Sequence, residues 1–464
     1  MKTKARHKWS AVSNTVAGAL VVVIIIAAIG GYYAGTLSIP GAETVTETKV
    51  STVTTGAGVS TVTTGAGTVT ETRLSTTVQT QTVTKTIATT PTEPVGDKIG
   101  LVTDIGGRGD LSFNDMGFLG ADNAAKDFNL ELIELVSITE ADYRPNLRTL
   151  AKRGDCAIIV AVGFLLTDAL NEVAAEFPDQ KFAGIDIYIG DKPNVLGVGF
   201  EEHKGSAMVG AVAALLAAHY NKPHVGMALG IEIPVLWKFE IGYKFGVDWA
   251  LKWYEEKFGK PAPAIGATPP KERVLWTYTG TFSDPIKGYE AAKTQFAQGA
   301  VAVYNVGGPI GLGIFQAAEE IGTAEGKTMG PPFGIGVDAD QDWVRPGWII
   351  TSMMKRVDTG VYTAAKMAVE GTFEGGIISL GPPEGGIAMS TLEDMDTFLR
   401  LGVEAGTVNP ADRDKIFNAV KAMRDAQPAW IWEGAAELEK IIKGEVVPLA
   451  FTAEEIAYWR DIYG

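Results

Sequence analysis

The sequence predicts an α/β protein in which two doubly wound parallel sheets form two lobes. From Lys98 onward, apolar strand-like runs alternate with amphipathic helical patterns, and this alternation is typical of a parallel sheet covered by helices. The runs fall into two series that meet near Lys222-Pro223. Polar or glycine-rich turns follow the strand-like runs, and ligands of open α/β sheets bind outside the carboxyl ends of the strands. We therefore expect a ligand cleft between the two lobes.

Length and composition exclude several classes of protein. A chain of 464 residues is too long for a single core. Its net charge of −15 argues against a nucleic-acid partner, because phosphate contacts need clustered Lys and Arg. The single cysteine, Cys156, lies in an apolar run and predicts a buried thiol rather than a disulfide. The four histidines do not have metal-ligand spacing, so no metal or other cofactor is expected.

The first 35 residues predict a membrane anchor. Residues 1–15 form a basic segment, and residues 16–35 are uncharged and long enough to cross a bilayer as one helix. The basic flank places the N-terminus in the cytoplasm and the rest of the chain outside the cell. A cleaved signal peptide is the alternative. We favour an uncleaved anchor because the apolar run is long, and no cysteine follows it that could carry a lipid.

Residues 36–96 predict a disordered stalk. They are rich in Thr, Ser, Val and Gly, and residues 50–58 repeat directly as residues 59–67. Such a segment cannot bury enough apolar surface to offset its chain entropy. A Ser/Thr-rich tract outside a membrane is open to O-glycosylation. An amyloid-like repeat is the alternative, which the glycines disfavour. We expect a globular body tethered outside the cell.

Residues 97–464 predict the two-lobed solute-binding body. The first series has strands at 99–103, 130–136, 156–162, 181–185 and 195–200, with helices at 113–128, 143–153, 165–177 and 203–220. The second has strands at 225–229, 274–278, 300–306 and 333–337, with helices at 235–258, 285–297 and 311–321. A strand at 349–353, a helix at 359–369 and a helical tail follow. We expect lobe 1 at about 97–222 plus a returning segment near 349–380, and lobe 2 at about 223–348 plus part of the tail.

The turn after the first strand of the body carries the clearest candidate site. Asp104 is expected at the strand tip, with Phe113 and Asn114 in the first turn of the next helix. A carboxylate, an aromatic ring and an amide at one point suit a small ligand with hydroxyl groups and a flat ring. This combination indicates binding, and nothing in it indicates catalysis.

Four motifs approach catalytic or metal signatures without completing them. Residues 322–328 are one residue short of a phosphate-binding loop and follow a helix, and residues 308–313 reverse the dinucleotide spacing. Residues 352–355 match Ser-x-x-Lys without its companion motifs. Residues 338–342 alternate like a calcium loop but lack its glycine. No catalytic residue is therefore predicted, and an enzyme is not expected.

Several segments resemble the basic membrane protein family. These are the substrate-binding proteins of ABC transporters, and the best-understood members are purine nucleoside receptors. The similarity covers roughly residues 97–445 in the same order. It is carried by Ser112-Phe113-Asn114-Asp115, Gly336-Val337-Asp338-Ala339-Asp340-Gln341 and residues 101–104, 239–243, 281–285 and 351–358. The resemblance implies a type I periplasmic-binding-protein fold, a nucleoside between the lobes and an ABC permease as partner.

The resemblance also implies how a base is held. Phe113 and Phe282 would sandwich it, and Asn114 and Asp186 would contact the nitrogens of its edge. Asp168 is an alternative to Asp186, because the spacing does not distinguish them. An aromatic ring contributes about 1–3 kcal/mol per stacked base.

The same resemblance assigns the remaining contacts. Asp104 and Asp338 would accept hydrogen bonds from ligand donors, with Asp338 the better candidate for the ribose hydroxyl pair. Gly308 would let the backbone approach the ligand, and Lys355 would supply a cation. From the residues alone, Asp104 could instead be a helix N-terminal anion and Lys355 a solvated charge.

Two departures from the family pattern and one alternative function remain open. The stalk replaces the usual lipidated cysteine, and a helix-like segment at 453–462 follows the family's expected end near residues 444–448. The alternative function is a membrane-tethered receptor that senses another small polar solute, such as a sugar.

Overall fold

A computed structural model describes residues 44–64, 67–86, 96–404, 406–444, 456–458 and 460–461. The chain divides into two compact units between residues 91 and 92. The predicted basic segment at 1–15 and apolar segment at 16–35 lie outside the described residues. Within the described ranges, none of the helices combines the length and apolar character needed to cross a membrane.

The first unit contains a pair of antiparallel strands where we expected a disordered stalk. Strand β1 (Thr44–Thr64) pairs with β2 (Gly67–Thr86), and the register shifts between Thr54 and Ala57. A composition poor in large apolar residues limits how much surface the segment can bury, but it does not prevent an extended backbone. Threonine and valine are β-branched and favour extended conformations, so the repeated sequence can pair with itself. A two-stranded hairpin is nevertheless only marginally stable on its own.

The second unit begins with the strands of lobe 1. They are β3 (Lys98–Thr103), β4 (Glu131–Val136), β5 (Cys156–Val162), β6 (Phe182–Ile185) and β7 (Val195–Phe200). The connecting helices are α1 (Phe113–Asp127), α2 (Tyr143–Arg153) and α3 (Thr167–Glu176). Every residue of β5 is buried, which is the pattern of a central parallel strand covered on both faces.

Lobe 2 repeats this alternation. Its strands are β8 (His224–Leu229), β9 (Val274–Tyr278), β10 (Ala300–Val306), β11 (Phe333–Asp338) and β12 (Ile349–Lys355). Its helices are α4 (Glu202–His219), α5 (Pro234–Phe258), α6 (Pro270–Arg273), α7 (Pro285–Ala297) and α8 (Ile310–Ala324). The predicted alternation of strands and helices is confirmed.

The last segments complete both sheets. They are α9 (Val357–Val369), β13 (Gly376–Leu380), β14 (Ile387–Met389), α10 (Leu392–Glu404), α11 (Arg413–Asp425) and α12 (Ala429–Gly444). The lobe 1 sheet has the order β13-β7-β6-β5-β3-β4 and is parallel throughout. The lobe 2 sheet has the order β14-β12-β11-β10-β8-β9, in which β14 is antiparallel to β12. The chain therefore passes between the lobes after β7, after β12 and after β13.

These crossings correct the expected lobe boundaries in two places. Helix α4 belongs to lobe 2, since Gly210 lies against the backbone of Tyr243 in α5 and Ser206 Oγ is 3.2 Å from Tyr304 Oη in β10. Strand β12 also belongs to lobe 2, and the chain returns to lobe 1 only at α9. Because α4 is buried on all sides, its sequence carries no polar face that would have indicated its neighbours.

The described C-terminal residues attach to lobe 2. Residues 456–458 and 460–461 are helical, in agreement with the predicted segment at 453–462. Arg460 donates from Nε and Nη2 to the buried carboxylate of Glu240 in α5, at 3.0 and 2.9 Å. Its guanidinium carbon lies 4.8 Å from the ring centre of Trp276. The tail thus continues beyond α12 to contact the helix that follows β8.

Candidate ligand-binding site

A cavity lies between the lobes, at the carboxyl ends of both sheets, and its empty volume together with its opening to solvent is about 600 Å³. This position is where open α/β folds bind ligands. All eight residues predicted from the sequence line it. They are Asp104, Phe113, Asn114, Asp186, Phe282, Gly308, Asp338 and Lys355.

The beginning of α1 forms the lobe 1 side of the cavity. Asn114 Nδ2 donates to Asp104 Oδ1 at 2.9 Å and to Asp110 Oδ2 at 3.2 Å. The two carboxylates therefore fix the orientation of the amide, because only its nitrogen can donate. Asn114 Oδ1 is buried and has no hydrogen-bond partner among the described residues. It is consequently an acceptor that a ligand donor could satisfy.

Asp110 also lines the cavity, although we did not predict it from the sequence. Its carboxylate accepts the backbone N–H groups of Ser112, Asn114 and Asp115 at 2.9, 2.8 and 3.1 Å. Asp110 thereby satisfies donors that the first turn of a helix leaves free. The signal in the sequence was an aspartate just before a helix start, which we did not weigh.

Two cavity carboxylates stand at strand ends in a backbone conformation with positive φ. Asp186 directly follows β6 with φ of 61°, and Asp338 ends β11 with φ of 65°. Residues other than glycine rarely adopt positive φ, and such conformations concentrate at functional sites. Asp168, the alternative to Asp186, is instead exposed on α3 and does not line the cavity.

Lys355 is the centre of a buried ion cluster. Its Nζ lies 2.7 and 2.6 Å from the two carboxylate oxygens of Asp186 and 2.9 Å from Glu202 Oε1. Glu202 also lies 3.2 Å from Lys238 Nζ. The ammonium is therefore not a solvated charge, and Asp186 meets a protein cation rather than standing alone. Neither Glu202 nor Lys238 was predicted, because their positions depend on how α4 and α5 pack.

Aromatic rings surround the same ammonium group. Lys355 Nζ is 5.2 Å from the ring centre of Phe113, 5.1 Å from Phe200 and 5.5 Å from Phe239. At such distances a cation is attracted by the face of a ring. Phe113 and Phe239 also line the cavity. The rings therefore enclose the cation and supply apolar surface to a ligand.

Lobe 2 contributes the second predicted ring. Phe282 lines the cavity and lies so close to Gly230 that a Cβ at that position would be 2.3 Å from the ring. Gly230 thus provides the space that Phe282 needs. The remaining apolar wall consists of Phe164, Leu165, Ile233, Val235, Leu236, Val306, Pro309 and Val337.

Burial controls the charge of the cavity carboxyl groups. Desolvation raises the pKa of Asp338 to about 6, against the opposing effects of Lys355 and of the hydrogen bond from Ser112. Desolvation likewise raises the pKa of Asp110 to about 7 and raises that of Asp104. Burial alone would lower the pKa of Lys355, but Asp186, Glu202 and Asp338 raise it. Lys355 is therefore charged at neutral pH, whereas the carboxyl groups of Asp110 and Asp338 change protonation state close to neutral pH.

The chemistry of this site is recognition of hydrogen-bond donors and flat apolar surface. Four carboxyl groups, those of Asp104, Asp110, Asp186 and Asp338, and the oxygen of Asn114 line the cavity as acceptors. Lys355, the cation among the described lining residues, is already paired with carboxylates. Within the described ranges, no cluster of three or more His, Cys, Asp or Glu residues is arranged to hold a metal ion.

Comparison with known proteins identifies the family. The family of PnrA-like ABC transporter substrate-binding proteins (Bmp) matches residues 98–252 and 264–401. An uncharacterized lipoprotein of Pyrococcus abyssi is 39% identical over 361 residues, which are 77% of this chain and 85% of that protein. The ABC transporter nucleoside-binding protein BmpA of Lactococcus lactis is 28% identical over 62% of this chain and 80% of its own length.

A solved structure supports the same conclusion. The crystal structure of an ABC transporter solute-binding protein from Aeropyrum pernix has 35% sequence identity and a TM-score of 0.68. The similarity covers 78% of this chain and 98% of that protein. The predicted family and its periplasmic-binding-protein-like α/β fold are thus confirmed, and the chain belongs to the Bmp family of ABC transporter substrate-binding proteins.

Proposed function

We propose that the protein is the extracytoplasmic binding subunit of an ABC importer that holds a purine nucleoside between its lobes. The observation that carries this proposal is the composition of the cavity, which combines phenylalanine rings from both lobes with an excess of hydrogen-bond acceptors. Purine nucleosides match both properties, because they present a flat base, ribose hydroxyl donors and N–H donors. The named nucleoside-binding relative supports the same ligand class.

Each end of a nucleoside has a suitable partner in the cavity. Asp338 can accept hydrogen bonds from the ribose hydroxyls, and a hydrogen bond to a charged group contributes about 1.5–3 kcal/mol. Asn114 Oδ1 and Asp104 can accept from the N–H groups of a base edge. Phe113 and Phe282 provide the stacking surfaces. Ligand contacts on both lobes would favour the closed arrangement.

The site serves transport when the loaded protein meets a membrane permease. Relatives named as lipoproteins support attachment of the body to the outer face of a membrane. In this chain, the uncharged segment at 16–35 is our candidate anchor, with the body extracellular. The permease would accept the nucleoside when the lobes separate.

Isothermal titration with adenosine, guanosine and inosine tests the ligand class. We expect one site with micromolar or tighter affinity, since stacking and charged hydrogen bonds together exceed the costs of association. The nucleoside should be recovered unchanged, as expected of a binding protein. Ribose and glucose are the controls. Binding of either sugar, with no nucleoside bound, would contradict the proposal and favour a receptor for another polar solute.

The affinity for a nucleoside should rise as the pH increases from 5 to 7. The pKa of Asp338 is raised to about 6 in the free protein, where Lys355, Asp186, Glu202 and Ser112 face it. A ligand hydroxyl prefers the ionised carboxylate, so the complex binds fewer protons than the free protein and gains stability as Asp338 ionises. Titrations at pH 5, 6 and 7 measure this gain. In Asp338→Asn the pH dependence of the affinity should be weaker. An equally steep pH dependence in this variant would assign the effect to Asp110.

A further inference from the structure

We infer that Gln341 and Ser112 form a latch that holds the two lobes together, and that Gln341 raises ligand affinity without contacting the ligand. The effect on affinity rests on the proposed function, whereas the effect on closure does not. Gln341 follows β11 in lobe 2 and is fully buried, but it does not line the ligand cavity. Its role is therefore one of positioning.

The Gln341 side chain is fixed at one end and reaches across the cleft at the other. Its Oε1 accepts from the backbone N–H of Val337 at 2.9 Å and from Asn305 Nδ2 at 3.4 Å, both in lobe 2. Its Nε2 donates to the carbonyl oxygen of Leu111 in lobe 1 at 3.1 Å. The bonds within lobe 2 orient the amide, so the donor is held towards lobe 1 before the lobes meet.

Ser112 makes the reciprocal contact from lobe 1. Its buried hydroxyl oxygen lies 2.7 Å from Asp338 Oδ2 and 3.1 Å from the carbonyl oxygen of Val337. The hydroxyl can donate to either acceptor, and both belong to lobe 2. Asp338 lines the cavity, so closure also orients the carboxylate that we propose as the acceptor for the ligand hydroxyls.

The lobe 1 segment of the latch is conformationally strained. Leu111 has φ of 51°, which is unfavourable for a bulky residue. This conformation directs its carbonyl oxygen towards Gln341, while the backbone N–H is held by Asp115 Oδ2 at 3.0 Å. The cross-lobe bonds help to offset the strain, as expected for a functional segment.

These bonds favour closure because their donors and acceptors lie on different lobes. Opening the cleft breaks them, and closing it restores them. The apparent affinity of a ligand that binds the closed form equals its intrinsic affinity multiplied by the fraction of protein that is closed. Loss of the latch should therefore weaken binding, although every residue that lines the cavity is unchanged.

The variant Gln341→Glu isolates the cross-lobe bond. It replaces only the amide NH₂ with oxygen, so Val337 and Asn305 keep their acceptor. Burial raises the pKa of a carboxyl group, so the measurements are made at a pH above that raised pKa, where the ionised glutamate presents a second oxygen to the Leu111 carbonyl and cannot donate to it. Gln298→Glu makes the same change at an exposed position after α7 and is the control. Ser112→Ala removes the reciprocal bond and tests the latch independently if the buried glutamate impairs folding.

Small-angle X-ray scattering of the ligand-free protein is the primary measurement. We expect a larger radius of gyration for Gln341→Glu and Ser112→Ala than for the unaltered protein and for Gln298→Glu. Scattering curves that coincide for all four proteins would overturn the latch. Thermal melts show whether Gln341→Glu or Ser112→Ala has unfolded. If one of them has, the scattering of the other variant tests the latch.

Nucleoside dissociation rates provide the second measurement. We expect dissociation from Gln341→Glu to be about tenfold faster, equivalent to about 1.4 kcal/mol. If scattering changes but no nucleoside binds, the latch stands and the proposed function fails. If nucleosides bind and dissociate equally from all four proteins, the proposed function stands and the latch fails.

Discussion

Replacing Lys355 with methionine should lower the free energy of unfolding by about 3–5 kcal/mol, as expected when one partner of a buried ion pair is removed. The Lys355 side chain is 1% exposed, and its partners Asp186 and Glu202 are 6% and 0% exposed. Methionine fills a similar volume but leaves two buried carboxylates without their shared cation. Lys238 remains 3.2 Å from Glu202, so Asp186 loses more of its electrostatic stabilisation than Glu202 does.

The loss of unfolding free energy in Lys355→Met should increase as the pH rises. Without the lysine, burial raises the pKa of Asp186 further above its unfolded value. Such a group destabilises the folded state only above its unfolded pKa, and the penalty grows until the pH reaches the folded pKa. We therefore expect a small deficit near pH 4 and a large one at pH 7 or above.

Urea denaturation at these two pH values measures both effects. The control is Lys366→Met on α9, where the lysine is exposed and lies 3.9 Å from Glu370. That exposed pair should contribute no more than about 1 kcal/mol. Adding Asp186→Asn to Lys355→Met should recover part of the lost stability, because the uncompensated charge is removed. Equal losses at pH 4 and pH 7 would contradict the electrostatic explanation.

The ligand cavity is the part of the structure that the sequence predicted best. The carboxyl ends of parallel strands meet at one edge, so polar residues that follow buried runs converge there. Asp104, Asp186 and Asp338 each stand at such a position, on three different strands. Together with the resemblance to a family, this geometry is enough to bring all eight predicted residues into one cavity. Their contacts with a ligand remain a prediction.

The contacts among those residues were not predictable. Lys355 and Asp186 are separated by 169 positions in the sequence, and their pairing depends on where the chain crosses between lobes. Along the chain, α4 directly follows the lobe 1 strand β7, and β12 directly precedes the lobe 1 helix α9. In space, both α4 and β12 pack in lobe 2. Gln341 was noted only as part of a motif, since nothing local indicates that its amide reaches Leu111.

Replacing Asp338 with alanine should weaken nucleoside binding at least tenfold, since a hydrogen bond to a charged group contributes about 1.5–3 kcal/mol. Asp338 is 5% exposed, lines the cavity and accepts from Ser112 of the opposite lobe at 2.7 Å. Alanine removes both the ligand acceptor and this bridge. Isothermal titration at pH 7, where the carboxyl group is largely ionised, measures the combined loss.

The variant Asp338→Asn separates the two contributions. Its amide oxygen can still accept from Ser112, so the bridge between the lobes remains, whereas the negative charge is lost. If the charge holds the ribose hydroxyls, Asp338→Asn should bind almost as weakly as Asp338→Ala, yet scatter X-rays like the unaltered protein. Asp168→Asn, on the exposed face of α3, controls for the change in net charge. Full affinity in Asp338→Asn would instead show that the negative charge of Asp338 is not needed to hold the ribose hydroxyls.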